Sequence, residues 1–308
     1  MSSLISLVVP VFNEAVSIRR NLAIILAAVD DESDIELIAV DDGSTDATSL
    51  ELARAARDDP RIRPLYFTRN FGKEAAIHAG LVASKGACAI VLDADLQHPP
   101  ALIPEMLRHW RSGFAVVECV KVDRGDESWL ARVYAQSFYW MFRHFAGMDL
   151  RNHSDYKLLD RAVVELYHAL PERRRFFRGL IHWAGYPTAR IPFEVAEREL
   201  GASRWSRLRL LRYAIDNLTS FSSLPLHLIT ALGFMTLALG VLIGFNSLYQ
   251  KFMGVALDGF TTVNLLLIII GGSLMIALGI IGHYLGRLYD EIKGRPPYLL
   301  KPPPREDA

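Results

Sequence analysis

Apolar and polar positions change their period repeatedly along the first 120 residues. Ile5–Pro10 is an unbroken apolar run rich in β-branched residues, whereas Ala15–Val29 repeats its apolar positions at helical spacing. The first pattern predicts a strand covered on both faces, the second a helix packed along one stripe. Further strands are predicted at Ile35–Val40, Ile62–Phe67, Cys88–Leu92 and Phe114–Val120. Between them, helices are expected from about Asp46, over Lys73–Ser84, and from about Pro100 to Arg111, with Ser44 or Asp46 capping the first of these three. Continuous apolar strands joined by crossover helices give a doubly wound, mostly parallel α/β sheet. Such sheets collect ligands at the carboxyl ends of their strands. Polar clusters stand at three of those ends: Asn13-Glu14-Ala15, Asp41-Asp42-Gly43-Ser44, and Asp93-Ala94-Asp95-Leu96-Gln97.

The C-terminal third follows another pattern. Asn217–Gln250 and Gly259–Gly286 contain no Asp, Glu, Lys or Arg. Each exceeds the ~20 residues a helix needs to cross a bilayer, and a helix apolar all round is seldom a soluble core element. Two spans are expected at about 225–249 and 262–286. Gly233, Gly240 and Gly244 in one, with Gly271, Gly272 and Gly279 in the other, suit close packing of the pair. Arg204, Arg207, Arg209 and Arg212 precede the hairpin, and Arg287, Lys293, Arg295 and Lys301 follow it. By the positive-inside rule both flanks are cytosolic, and with them the N-terminal α/β domain and both termini. Ser203–Tyr213 interleaves arginines with Leu and Trp, the composition of an interfacial helix. The expected division is therefore a cytosolic α/β domain (1–200), a basic interfacial segment (201–222), the hairpin (223–288) and a cytosolic tail (289–308).

Composition adds three constraints. Lys+Arg and Asp+Glu both number 34, so no net charge points to nucleic acid. The two cysteines, Cys88 and Cys119, fall in predicted strands and read as core residues in a reducing compartment. The N-terminus runs into a strand without a basic leader, unlike a signal peptide. No His78, His98, His109, His144, His153, His168 or His182 pair has the spacing of a histidine metal site.

Asp93 and Asp95 are the strongest local chemical signal. Two carboxylates one residue apart on a turn leaving a strand can reach one hard divalent cation, with Gln97 adding an oxygen. Such a cation neutralises charge growing on a departing diphosphate. Asp41 and Asp42 can accept from a base N–H or ribose hydroxyls, or cap their own turn.

VVPVFNEA, IAVDDGSTD, RNFGKEAAIHAGL and LDADLQHPP, in that order, resemble glycosyltransferase family 2, specifically its polyprenyl-phosphate branch. RNHSDYKLLDR, RRRFFRGLIHWAGY, AERELGASRWS and YLGRLYDEIKGRPPY extend the likeness through the hairpin. The resemblance implies a GT-A fold and a Mg²⁺- or Mn²⁺-dependent, inverting hexosyl transfer from a nucleotide sugar to a polyprenyl (undecaprenyl) phosphate at a membrane. A UDP-sugar such as UDP-glucose is the favoured donor, with GDP-mannose the alternative. It admits a homo-oligomer, a tetramer in relatives. It assigns Pro10, Phe12, Glu14, Asp41, Asp42 and Asp93 to the nucleotide sugar, and Asp93, Asp95 and Gln97 to the metal. Lys121, Arg124, Arg132, Arg198, Ser203 and Arg204 fall to the acceptor and diphosphate. Asp155 joins Asp93 and Asp95 as catalytic, whether as base, orienter or charge stabiliser. Ser203-Arg204-Trp205 departs from the family's usual Ser-Lys-Tyr, and arginine's planar fork meets phosphate differently from a lysine point charge. A processive synthase would need more spans and a QxxRW motif. A non-catalytic nucleotide-sugar-binding scaffold would not need the intact Asp93 and Asp95.

Overall fold

The computed structural model describes residues 4–30, 34–121, 153–173, 175–193, 224–254 and 260–304. Within the sheet domain, β1 (Ile5–Val11), β2 (Ile35–Asp41), β3 (Ile62–Phe67) and β4 (Cys88–Val91) match the predicted strands to within a residue at each end. The helices α1 (Ile18–Ala27), α2 (Thr48–Asp58), α3 (Lys73–Ala83) and α4 (Ile103–Arg111) lie between and after them, α4 entered by a 3₁₀ turn at Pro100–Leu102. Predicted from Phe114, β5 begins at Val116 and runs to Lys121, because Gly113 turns the chain with φ 101°. Then come β6 (His153–Asp160), α5 (Arg161–Ala169), α6 (Phe177–Trp183), β7 (Thr188–Phe193) and the two-residue β8 (Leu300–Lys301).

The strand order is β7-β5-β6-β4-β1-β2-β3-β8. β4, β1, β2 and β3 are mutually parallel, as crossover helices require. β6 enters antiparallel between β4 and β5, and β7 runs parallel to β5. Sequence reasoning treated residues 153–160 as a motif and missed the strand. Its alternation is concealed because Lys157 is buried, paired with Glu118 on the neighbouring strand. The main core lies between β1, β2, β4 and the helices α1 and α4, with Leu7, Val9, Leu37 and Ile90 fully buried. Cys88 and Cys119 are buried free thiols. Gly80 of α3 lies so close to β1 that an added Cβ would sit 2.3 Å from Val8 Cγ1.

The helical unit contains α7 (Leu224–Phe252) and α8 (Phe260–Ile292), both longer than the predicted spans. Both are long and apolar enough to cross a membrane. Phe234, Leu242, Phe245 and Met275 are exposed. The helices face each other across a crevice of about 530 Å³ lined by Leu232, Met235, Thr236 and Leu239 from one and Ile269, Gly272, Ser273 and Ile276 from the other. Close packing through glycines is not observed. A Cβ at Gly233, Gly240, Gly244, Gly271, Gly272 or Gly279 would meet nothing within 4 Å. From Pro296 onward the chain belongs to the sheet domain again.

Candidate active site

Three parallel strands end at one cavity. Pro10, Val11, Phe12 and Glu14 at the end of β1, Asp42 after β2, Asp93, Ala94 and Asp95 after β4, and Lys73 at the start of α3 line a space of about 210 Å³. Phe12 stands half exposed at its rim. The loops are cross-wired. The Asn13 amide donates to Ser44 Oγ (2.9 Å), and the Thr45 amide returns a bond to Asn13 Oδ1 (2.9 Å). Asn13 (φ 56°) and Leu96 (φ 57°) are the non-glycine residues in the left-handed region among the described residues, one in each of two site loops. Strain of this kind, about 1 kcal/mol or more per residue, persists where surrounding contacts hold it.

Asp41 and Asp42 do different work. Asp41 is fully buried and accepts from the Ser44 amide (2.9 Å) and the Ser49 hydroxyl, so it holds the turn. Asp42 accepts from the Phe71 (2.7 Å) and Gly72 (3.0 Å) amides while lining the cavity. Burial raises its pKa despite those amides. Gly43 (φ 65°) passes so near the next loop that a Cβ would lie 2.2 Å from the Arg69 carbonyl carbon, so only glycine fits. Asp46, proposed as a cap, accepts from the Thr48 and Ala15 amides.

Asp93 and Asp95 both face the cavity, as the sequence implied. The Gln97 amide donates to Asp95 Oδ1 (3.1 Å); the Gln97 side chain is not part of the cavity wall. Below them His98 is buried and stacked on Tyr156 with ring centroids 5.1 Å apart. Its Nδ1 accepts the Asp93 amide (3.1 Å) and lies 3.7 Å from Asp93 Oδ2.

Of the four charged residues at the centre of the site, Asp93 and Asp155 were named from the sequence and Lys73 and Arg178 were not. Lys73 Nζ lies 2.5 Å from Asp93 Oδ1 and 2.8 Å from Asp155 Oδ2. Arg178 of α6 grips Asp155 from the other side, Nε to Oδ1 at 2.6 Å and Nη2 to Oδ2 at 2.9 Å. Asp155 is buried, and burial alone would favour its neutral form; Lys73 and Arg178 overcome this and hold its pKa well below the carboxylate range. Burial likewise opposes the Lys73 charge, but Asp155 and Asp93 raise its pKa and keep it protonated. Next to Lys73, burial and the Asp155 charge push Glu74 up to about 7; its Oε2 accepts the Phe177 amide (2.9 Å). Lys73 and Glu74 lie in the quoted RNFGKEAAIHAGL run, and Arg178 in RRRFFRGL, where nothing local separates one arginine from its neighbours.

Lys121 is the last residue of β5, in register with Phe193. Arg124, Arg132, Arg198, Ser203 and Arg204 lie outside the described residues.

The donor set suits a hard divalent cation. Asp93 and Asp95 are oxygen ligands one residue apart, and no group of three or more His, Cys, Asp or Glu is placed to hold a metal ion among the described residues. Mg²⁺ and Mn²⁺ in phosphate-transfer sites use one or two carboxylates and take their remaining ligands from diphosphate and water. The residues present fit that group.

Residues 6–161 match the profile described as Glycosyl transferase family 2. The chain belongs to that family. Its sheet, with strands ending on a paired-aspartate loop, is the GT-A arrangement, and the protein is a glycosyltransferase. It is similar to an uncharacterized glycosyltransferase of Synechocystis sp., 36% identical over 299 residues that cover 96% of this chain and 94% of that one. It is 35% identical over 300 residues to a prophage-derived bactoprenol glucosyl transferase of Shigella flexneri, covering 96% and 97%. A prophage bactoprenol glucosyl transferase homolog of Escherichia coli K12 is also 35% identical, covering 96% and 98%.

Proposed function

We propose that this family 2 enzyme transfers a hexose, with inversion, from a UDP-sugar (UDP-glucose first) to an undecaprenyl-type polyprenyl phosphate. The observation that carries the acceptor class is Asp155. Both its oxygens are engaged by Lys73 and Arg178, which leaves it a poor proton acceptor. His98 Nδ1 is taken by the Asp93 amide, and Glu74 turns its carboxylate to Phe177 and lies outside the cavity wall. A sugar-hydroxyl acceptor would need a general base. A phosphate is already ionised near neutral pH (pKa₂ ≈ 6), needs only positioning, and is the acceptor such a site suits. The near-full-length relatives named bactoprenol glucosyl transferase point to the same chemistry and to glucose.

In this reading Asp42 and Glu14 meet the nucleoside, Phe12 stacks at the rim, and Pro10 shapes the wall. Asp93 and Asp95 would hold Mg²⁺ or Mn²⁺, which neutralises charge on the leaving diphosphate. Lys73, held between Asp93 and Asp155, is a fixed positive charge facing the same negative charge, an arrangement that costs no reorganisation during the reaction. Asp155 anchors Lys73 and Arg178 and so orients both cations. Lys121, Arg124, Arg132, Arg198, Ser203 and Arg204 are assigned to the acceptor phosphate and diphosphate.

The same reading puts both termini and the sheet domain on the cytosolic side of the cytoplasmic membrane. The tail that follows α8 pairs with β3, so the chain entering the helices and the chain leaving them serve one domain. Two crossings satisfy that connection and one does not.

The test is transfer of labelled glucose from UDP-glucose with Mn²⁺ into an organic-extractable, mild-acid-labile product dependent on added undecaprenyl phosphate. Labelling of a lipid-free sugar acceptor instead would overturn the acceptor class.

A further inference from the structure

The tail after α8 has the composition of a device for ending one element and starting another. Gly294 adopts φ 72° just past the last helical turn, and Pro296 and Pro297 prevent the helix from continuing. Leu300 and Lys301 then form β8, in register with Phe67 and Tyr66 of β3, and the Thr68 amide donates to the Leu299 carbonyl (3.0 Å). Pro302–Pro304 follow at once, and their missing N–H groups stop the ladder there. Without β8, β3 would be an open sheet edge.

The strand pairing is short, and the side chain at its entrance does more. The Tyr298 ring stacks on Phe67, centroids 5.1 Å apart and planes within 9°. Its edge meets His78 of α3 at 5.9 Å. Phe67 in turn meets Phe71 edge-on at 5.7 Å, and Arg69 lies over the Phe71 ring at 4.5 Å. Tyr298 and Phe71 both pack on a small core of Ile38, Val40, Phe67, Ala76 and Ala79, separate from the main one. That core underlies the loop from Thr68 to Gly72, whose Phe71 and Gly72 amides hold Asp42 and whose next residue is Lys73.

We propose that Tyr298 is a positioning residue for the donor: the C-terminal strand props the β3–α3 loop and so fixes Asp42 and Lys73 in the cavity wall. The inference rests on the donor reading above. It makes the last described segment of the chain, beyond both long helices, part of the nucleotide-sugar site.

The experiment uses the full chain in detergent or nanodiscs, with UDP-glucose and Mn²⁺ as probe. Tyr298→Ala is expected to raise the UDP-glucose KM about five- to tenfold and to speed hydrogen exchange over residues 68–73. Tyr298→Phe, which keeps the stacked ring, should restore both. A variant whose loop exchanges faster while its donor KM stays within twofold would overturn the proposal. Should Tyr298→Ala not fold, the unmodified protein still decides. Linkage is reciprocal, so UDP-glucose must slow exchange at Thr68 and at Leu300–Lys301. Protection at residues 10–14 and 93–95 without protection of the tail sinks this inference alone. Absence of protection at both sinks the donor reading with it.

Discussion

Replacing Glu74 with Gln isolates one titration in the interior of the site. Its carboxyl is moved from an ordinary 4.5 to about 7 by burial first and the Asp155 charge second. At 1.36 kcal/mol per pH unit, that span corresponds to roughly 3 kcal/mol. The sign follows from the direction. The folded chain holds this proton more tightly than the unfolded chain. Stability from Glu74 is therefore complete below pH 4.5, falls as pH rises, and is lost above about 7. Asp93 and Asp155 are shifted the other way, and their contributions fade only on acidification below the usual carboxylate range. His78 overlaps the window: burial lowers it to about 4, so its contribution is present above 6.5 and fades as pH falls. The difference between variant and parent therefore carries the test, since His78 is common to both. Glutamine can still accept the Phe177 amide and never ionises. Thermal unfolding from pH 4.5 to 8 should show the two proteins alike at the acid end. The variant should gain on the parent as pH rises, by about 6–12 °C at pH 8 for a domain of this size. A difference in Tm that stays within about 1 °C across that range would refute the argument.

Asp95→Asn should abolish transfer without unfolding, because the amide oxygen can still accept the Gln97 N–H. Asp93→Asn should do the same, since Lys73 keeps Asp155 as a partner. Near-parental turnover of either at limiting Mn²⁺ would remove them as metal ligands. Lys73→Met leaves Asp93 and Asp155 facing one another without the cation between them. Its side chain is partly exposed, which limits the stability loss to about 1–3 kcal/mol, but kcat should drop at least about a hundredfold, measured with saturating donor. Gly43→Ala drives a methyl into the Arg69 backbone and should cost more than about 3 kcal/mol, read by thermal unfolding. Single cysteines at Ser2 and Arg305, probed with an impermeant thiol reagent on intact cells, should both stay unlabelled; labelling of either reverses the proposed topology.

The parallel half of the fold was legible because buried parallel strands advertise themselves as apolar runs, and β1 to β4 do so without interruption. The antiparallel insertion was not, because β6 carries Ser154, Asp155 and Lys157 inward. A buried ion pair and a site carboxylate break the apolar signal of that strand. The same division holds at the site. Asp93, Asp95 and Asp42 sit at strand ends, where position in the fold follows from position in the sequence. Lys73 and Arg178 acquire their roles from Asp155, 82 and 23 residues away, and no local spacing encodes such a meeting. Asp41 shows the converse. Adjacent to Asp42 and alike in type, it is turned inward to hold Ser44 and Ser49, a choice made by strand alternation.

The charge pattern explains why Asp155 belongs in the site at all if it is not a base. In the proposed reading Lys73 and Arg178 serve where anionic diphosphate and anionic acceptor converge, yet two cations side by side repel and would swing towards solvent, to which both are partly open. A buried carboxylate between them removes that repulsion and fixes both geometries. Its preference for the ionised state is the consequence of that service. A carboxylate so tightly paired abstracts protons poorly, and an enzyme whose acceptor arrives ionised loses nothing by it. Asp155→Asn separates the two roles. It retains the shape but releases both cations, so it should raise the KM for donor and for undecaprenyl phosphate together. A general base, by contrast, would lower kcat alone and leave both KM values unchanged. A kcat that falls about a thousandfold and recovers with rising pH, at constant KM for both substrates, would restore Asp155 to the role of base.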